Sequence, residues 1–369
     1  MSRVWIYIAC LTIGLLIGQL IDLTPVKSWL YFADMICLAY IMIEVGLEFN
    51  IDKSALPKYG KDLLIAITAA AFPWLFCFLF FISFSSMNVD EALLLARFAA
   101  PTSAGVLITL LAAAGLGATW VFRKARILAI FDDLDTILLL IPLRLLVNGG
   151  TVGSIYSLMI VIVLLFLAYR FLHRLRIHIS RIAIFFYGVA IALICDPLYR
   201  YFHIELEVLL PAFCFGCVLS AGKHHELGMT ERESHPAHFS FDMTIKSIFM
   251  FLVGTSIPQI NFTGIDPLHL TLAVIAVTLL SNIGKCFPLF CYRKEATLRE
   301  RLALCVSLFP RGEVGAGVLV LALSLGVTGP MVTVAGLSLG INLLLTGVFI
   351  AFVKWLITPA GGAPRAPQE

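Results

Sequence analysis

Along this chain, long apolar stretches alternate with short segments that hold most of the charged residues. Taking roughly 17 to 25 apolar residues as one membrane crossing, the pattern predicts twelve helices, at 4–21, 29–49, 63–84, 91–116, 124–147, 153–172, 181–201, 208–221, 241–257, 267–292, 301–326 and 331–357. The eighth and ninth are short. The first run has no small-residue cleavage site behind it and reads as a retained span. The expected fold class is an all-α polytopic membrane protein.

Two of the runs are interrupted at matching places, the fourth by Ala100-Pro101-Thr102-Ser103-Ala104-Gly105 and the eleventh by Phe309-Pro310-Arg311-Gly312-Glu313-Val314-Gly315. Proline removes a backbone donor and crowds the preceding turn, so each run is expected to be a discontinuous helix. Pro101 and Pro310 are 209 apart, as are Leu116-Gly117-Ala118-Thr119 and Leu325-Gly326-Val327-Thr328, while Gly46 and Gly254 are 208 apart. A shift of 209 carries Asp133 onto Asn342. Seven spans separate the fourth from the eleventh, so the two copies run oppositely through the bilayer, as inverted repeats do. The organisation expected is a first repeat at 1–147, a linker helix at 153–172, a second repeat at 181–357 and a short Pro-, Gly- and Ala-rich tail at 358–369.

Charge agrees with twelve spans. With the N-terminus inside, nineteen of the 26 Lys and Arg fall on the cytoplasmic side and only Lys27 and Arg200 outside, which places both termini in the cytoplasm. Trp5, Trp29, Trp120 and Trp355 lie near span ends, as an interfacial belt requires. Composition says the same: 60% hydrophobic, 13% charged, mean hydropathy +0.98, against about 25% charged in soluble domains. The basic loops read as topology signals and not as nucleic-acid sites. No room is expected for a cytoplasmic nucleotide-binding domain.

Five basic residues remain inside spans: Arg97, Arg144, Lys246, Lys285 and Arg311. The fifth span holds three acids, Asp132, Asp133 and Asp135. Charge at bilayer depth is costly and is retained where it serves ion or proton pathways. If the helix enters near Lys124, Asp133 lies roughly 14 Å deep at ~1.5 Å per residue. Lys285 and Arg311 reach similar depth, which makes them countercharges, and Lys246 is placed to snorkel. Asp132 and Asp133 point about 100° apart and need not share a role. Burial raises a carboxylate's pKa and a nearby ammonium lowers it, so one acid can trade a proton for a small cation while the other stays paired. Thr102 and Ser103, with carbonyls freed by the break, would add oxygen ligands. Glu44 reads as interfacial, and Arg97, Arg144 and Asp135 as charges that neutralise one another.

Nine cysteines scattered through apolar runs suit buried thiols and not a disulfide framework. Cys214-x-x-Cys217 and His224-His225 have no partners at metal-binding spacing. No cofactor, resident metal or enzyme activity is expected.

With these residues in place, the chain resembles the cation/proton antiporters, in particular the paired-aspartate branch called monovalent cation:proton antiporter-2. The resemblance rests on Val45-Gly46-Leu47-Glu48, Pro101-Thr102-Ser103, Asp132-Asp133, Gly284-Lys285 and Pro310-Arg311-Gly312-Glu313 in the family's order. It implies a sodium/proton exchanger fold with a dimerisation domain and a mobile core that moves like an elevator. It further implies Asp133 as the essential acid, Asp132 paired with Lys285 when no cation is bound, and a homodimer. Arg97, Arg144 and Asp135 lie outside the family pattern and put an electrogenic cycle in question.

The function expected is exchange of a monovalent cation, Na+ in first place, for H+ across a bacterial inner membrane, with Asp133, Asp132, Thr102 and Ser103 binding the ion or proton and Lys285, Arg311 and Glu313 as countercharges. The alternatives are a K+/H+ antiporter and a sodium-coupled symporter of an organic anion. An anion carrier would need a site free of repelling carboxylates. An intramembrane aspartyl protease would need its two aspartates on separate helices sharing a proton.

Overall fold

Proline and glycine set where the helices end. In the computed structural model, which describes residues 2–21, 23–48, 56–85, 87–148, 152–171, 175, 180–202, 208–219, 241–256 and 267–358, the elements in order are α1 (Ser2–Leu20), α2 (Lys27–Glu48), α3 (Leu56–Phe84), α4 (Val89–Ala96) and α5 (Ala104–Ala113). Next come α6 (Trp120–Asn148), α7 (Val152–Arg170), α8 (Arg181–Phe202), α9 (Leu209–Val218) and α10 (Phe241–Ser256). The series closes with α11 (Pro267–Gly284), the single turn α12 (Pro288–Cys291), α13 (Leu298–Ser307), α14 (Glu313–Ser324) and α15 (Pro330–Ile357). The protein is all-α, and its helices follow the order of the expected spans. His224, His225 and the tail from 359 lie outside the described residues.

The two expected breaks are present. A 3-10 turn at Arg97–Ala99 and an extended Ser103 separate α4 from α5, and non-helical residues 309–312 separate α13 from α14. A third break, at 285–287, corrects the expectation of one continuous helix over 267–292. Pro288 is the cause: its ring crowds the carbonyl four residues back, at Gly284, which is where α11 stops. The half-helices α5 and α14 end alike, in Gly115 (φ 81°) and Gly326 (φ 84°), each followed by a backbone bond at 3.0 Å, Leu116 to Leu111 and Val327 to Ala322. This left-handed cap equates Gly115, not Gly117, with Gly326. The second copy is two residues longer, so the constant shift of 209 holds at the prolines and fails past the half-helices.

By packing, the helices sort into two groups. In one, α1 lies along α10 and α2 along α8 and α9, with α7 against α9. In the other, α3, α6, α11, α13 and α15 surround the broken helices. Contacts between the groups are sparser, made chiefly by α15 on α1 and α14 on α10. The first group is held by two glycine crossings. A Cβ on Gly254 would meet the Leu11 carbonyl and the Leu15 nitrogen, and one on Gly216 would meet the Ile43 carbonyl and lie 2.9 Å from the Gly46 Cα. Small residues at such crossings let backbones approach and gain dispersion contact where lipid offers no hydrophobic drive. Since Gly46 and Gly254 correspond in the repeat, α2 on α9 is the counterpart of α10 on α1, the exchange an inverted repeat requires.

Candidate functional site

The breaks meet each other. The Ser103 amide donates to the Pro310 carbonyl at 3.0 Å, and a Cβ on Gly315 would lie 2.9 Å from the Phe98 carbonyl, so glycine is what lets the two chains cross this closely. Four half-helix ends therefore converge beside α6 and leave backbone groups without helical partners.

Asp132 and Asp133 stand at this crossing, both 0% exposed. The helix begins at Trp120 and not at Lys124, which puts Asp133 thirteen residues in, ~20 Å at ~1.5 Å per residue. Lys285, at the third break and equally buried, donates to Asp132 Oδ2. The Thr102 hydroxyl lies 2.9 Å from the same oxygen and 3.1 Å from the Leu308 carbonyl, so its single proton serves one acceptor at a time. Asp132 Oδ1 accepts no hydrogen bond from the described residues. Thr102 and Lys285 thus converge on Asp132, with Asp133 the next residue along the helix.

The other charges arrange themselves differently. Arg311 is fully buried, and its guanidinium donates to the carbonyls of Leu308 (2.9 Å), Phe309 (3.0 Å) and Ser281 (3.1 Å), bracing the break and the end of α11 with no carboxylate in an ion pair among the described residues. Glu313 opens α14, and its side chain, like that of Arg144, lies outside the described residues. Arg97 pairs with Asp135 at 2.5 Å and sits 5.1 Å from the Trp74 ring, whose Nε1 donates to Leu93 O. Two further Arg97 nitrogens have no acceptor among the described residues. This pair carries its own neutralisation one turn along α6 from Asp132. The described interior here holds three acids, Asp132, Asp133 and Asp135, and three bases, Arg97, Lys285 and Arg311.

Lys246 and Glu44 differ from expectation. Lys246 does not reach freely to the interface but bridges Asp242 at 3.1 Å and Glu44 at 3.2 Å, and Tyr40 donates to Glu44 at 3.0 Å. Near the basic loops, Lys124 donates to both oxygens of the buried Asp62, which also accepts from Tyr292 at 2.7 Å, and Lys61 pairs with Glu295. This ties the entry of α3 and α6 to the turn before α13.

Three features went unread in the sequence. One is a neutral ladder between α11 and α15, with Asn282 donating to Asn342 at 2.9 Å and Thr278 beside Ser338 at 2.9 Å. The second is Asp62, hidden among loop lysines. The third is Asp34, a buried acid in the second span, which the rule for intramembrane carboxylates would have flagged. The cysteines are not joined to one another, and Cys214 and Cys217 are buried.

Comparison with known proteins agrees with the fold. No curated protein matches significantly. In structure the chain is similar to the sodium proton antiporter MjNhaP1 from Methanocaldococcus jannaschii at pH 8, with a TM-score of 0.58 and 15% identity over 94% of this chain and 88% of that one. The family described as "Sodium/hydrogen exchanger, transmembrane" matches residues 3–357. A continuous family match from α1 to the end of α15, on a fold whose broken helices cross at paired buried aspartates, means that the chain belongs to the sodium/hydrogen exchanger family of integral membrane cation/proton antiporters.

Proposed function

We propose that this protein exchanges a monovalent cation, Na+ in first place, for H+, with Asp133 and Asp132 as the acids that bind them and Lys285 as the charge released during exchange. One observation carries the reading: a fully buried Lys285–Asp132 pair, with Asp133 beside it, at the crossing of two discontinuous helices. A buried carboxylate is costly when left ionised and alone. Lys285 neutralises Asp132 while the site is empty, and a proton does so for Asp133. An arriving cation draws on Asp132 Oδ1, Asp133, the Thr102 hydroxyl and the backbone oxygens at the breaks. It takes the place of the proton, which leaves Asp133, and pushes the ammonium of Lys285 off Asp132; Lys285 stays charged beside the site, so the cation and the ammonium together balance the two carboxylates.

The sparse seam between the two helix groups supports a rigid-body step, in which the group holding Asp132 slides along the group built on the glycine crossings. In this reading both termini are cytoplasmic, the basic loops lie inside, the membrane is the bacterial inner membrane, and the protein is a homodimer of the monovalent cation:proton antiporter-2 branch. An organic anion is a poor fit to a site whose available ligands are carboxylates.

The test is a pH-sensitive dye in everted vesicles. Adding Na+, Li+ or K+ dequenches the dye if cation enters against H+, and the cation giving the strongest response identifies the substrate. No response to any cation across a wide pH range overturns the reading.

A further inference from the structure

Asp34 on α2 is 1% exposed. Its Oδ2 accepts a hydrogen bond from Ser256 at 3.2 Å, and its Oδ1 has no hydrogen-bond partner among the described residues. It lines a small cavity of about 10 Å³ with Tyr31, Met35 and Leu38 of α2, Val208 at the entry to α9, and Gly317, Val320 and Leu321 of α14. The titratable neighbours on its own helix are Tyr31 and the Cys37 thiol. The side chains that α10, α14 and the start of α9 bring to it, Ser256, Val320, Leu321 and Val208, are all uncharged.

Two facts about its place matter. First, α2 and α14 belong to different helix groups, so the cavity is walled half by each side of the seam. Secondly, α2 enters the membrane on the face opposite the basic loops, and Asp34 lies seven residues in, ~10 Å at ~1.5 Å per residue. Val208, Ser256 and the second half of α14 lie toward that same face, because α8, α10 and the α13–α14 pair all start from the basic side. Asp133 is reached from the basic side after ~20 Å, so Asp34 stands between it and the opposite face.

An ionised carboxylate with a bare oxygen in an apolar seam is strongly disfavoured unless something neutralises it. We propose that Asp34 is a second exchange acid, a way-station that holds a monovalent cation or a proton on the outer side of the seam, with Ser256 and Tyr31 as its neighbouring oxygens. Because α14 supplies one wall, occupancy depends on where the moving group stands. The site is complete in the state described and is taken apart when α14 slides. This rests on the antiport reading, and its test is chosen to be separable from it.

The probe is dicyclohexylcarbodiimide, an apolar reagent that adds to protonated buried carboxyls. The full-length protein in detergent, as wild type and as Asp133→Asn, is treated across a pH range with and without Na+, Li+ or K+, and Asp34 is read by peptide mass spectrometry. The expected result is labelling of Asp34 that grows as pH falls and is suppressed by cation in both proteins. Absence of labelling at every pH, or labelling indifferent to all three cations, overturns the proposal. In proteoliposomes of fixed orientation, Asp34→Asn should raise the cation KM on the face opposite the basic loops about tenfold, equivalent to ~1.4 kcal/mol of binding, and leave the other face unchanged. An equal change on both faces, or none, contradicts it. Asp34→Glu keeps the acid and should retain cation protection. Failure of the antiport reading itself appears elsewhere, as undiminished exchange by Asp133→Asn.

Discussion

Two polar junctions lie in the interior of this protein, one on α6 and one on α15, and they are built of different chemistry. Aligning the helix starts, Trp120 and Pro330, gives a shift of 210 that carries Asp132 onto Asn342. At the first junction a carboxylate, an ammonium and a hydroxyl meet, with one carboxylate oxygen left open. At the second, two amides and two hydroxyls bridge α15 to α11, and Asn342 also donates to the Ser338 carbonyl at 3.1 Å. The repeat places polar groups between helices at both positions, but of these two junctions only the one on α6 is charged. Neutral bridges suffice to hold helices together in a membrane, so packing alone does not call for the charge at Asp132 and Lys285.

This difference can be broken most severely at Lys285. Lys285→Ala leaves a buried carboxylate without its cation, an effect of ~3–5 kcal/mol, and is expected to lower the thermal midpoint of the solubilised protein sharply. Adding Asp132→Asn to Lys285→Gln should recover most of that midpoint while exchange stays lost, because the pair is replaced by amides like those at Asn282 and Asn342. If the double variant exchanges normally, the charged junction is only packing.

The glycine crossings come next. Gly46→Leu places a side chain against the Phe213 carbonyl and the Gly216 Cα, and overpacking of this kind costs about 1–3 kcal/mol or more. Gly60, with nothing near its Cβ position, is the control: Gly60→Ala should leave the melting curve in place.

At the neutral junction the expected effect is smaller. Asn282→Leu with Asn342→Leu removes both partners together, which changes stability by about 1 kcal/mol or less, and the vesicle assay should still show cation-driven dequenching. Loss of exchange there would erase the distinction between the two junctions.

The smallest effect lies outside the membrane. Partial burial alone would raise the Glu295 carboxyl, but the hydrogen bond from Lys61 and the charge of Lys124 outweigh it and hold the group below its ordinary value. A depressed carboxylate stabilises the fold above its unfolded pKa, and that contribution fades as pH falls through the lower, folded value. Glu295→Gln should therefore shift the midpoint slightly at neutral pH, by about 1 kcal/mol or less, and not at all in strong acid.

Much of this was legible in the sequence because hydropathy and proline act locally. The order of the spans, the breaks after Ala100 and Phe309, and the placement of Asp132 and Asp133 inside a span follow from apolar run length and from what proline does to a helix. The break at Lys285 was equally local, since Pro288 stands four residues after Gly284, but the surrounding run is so apolar that it read as continuous. Which carboxylate Lys285 meets was not legible, because α6 and α11 approach only in three dimensions. For the same reason the hydrogen bonds of Arg311 to the carbonyls exposed by the break it belongs to were not legible. Asp34 was overlooked in a run where nothing else drew the eye.

The most direct measurement is cation-evoked proton movement in proteoliposomes with the membrane potential clamped, comparing wild type with an equally well folded Asp133→Asn. A prompt pH change in wild type and a flat trace in the variant are what a proton-for-cation trade at this carboxylate requires. A variant that moves protons at the wild-type rate would contradict it.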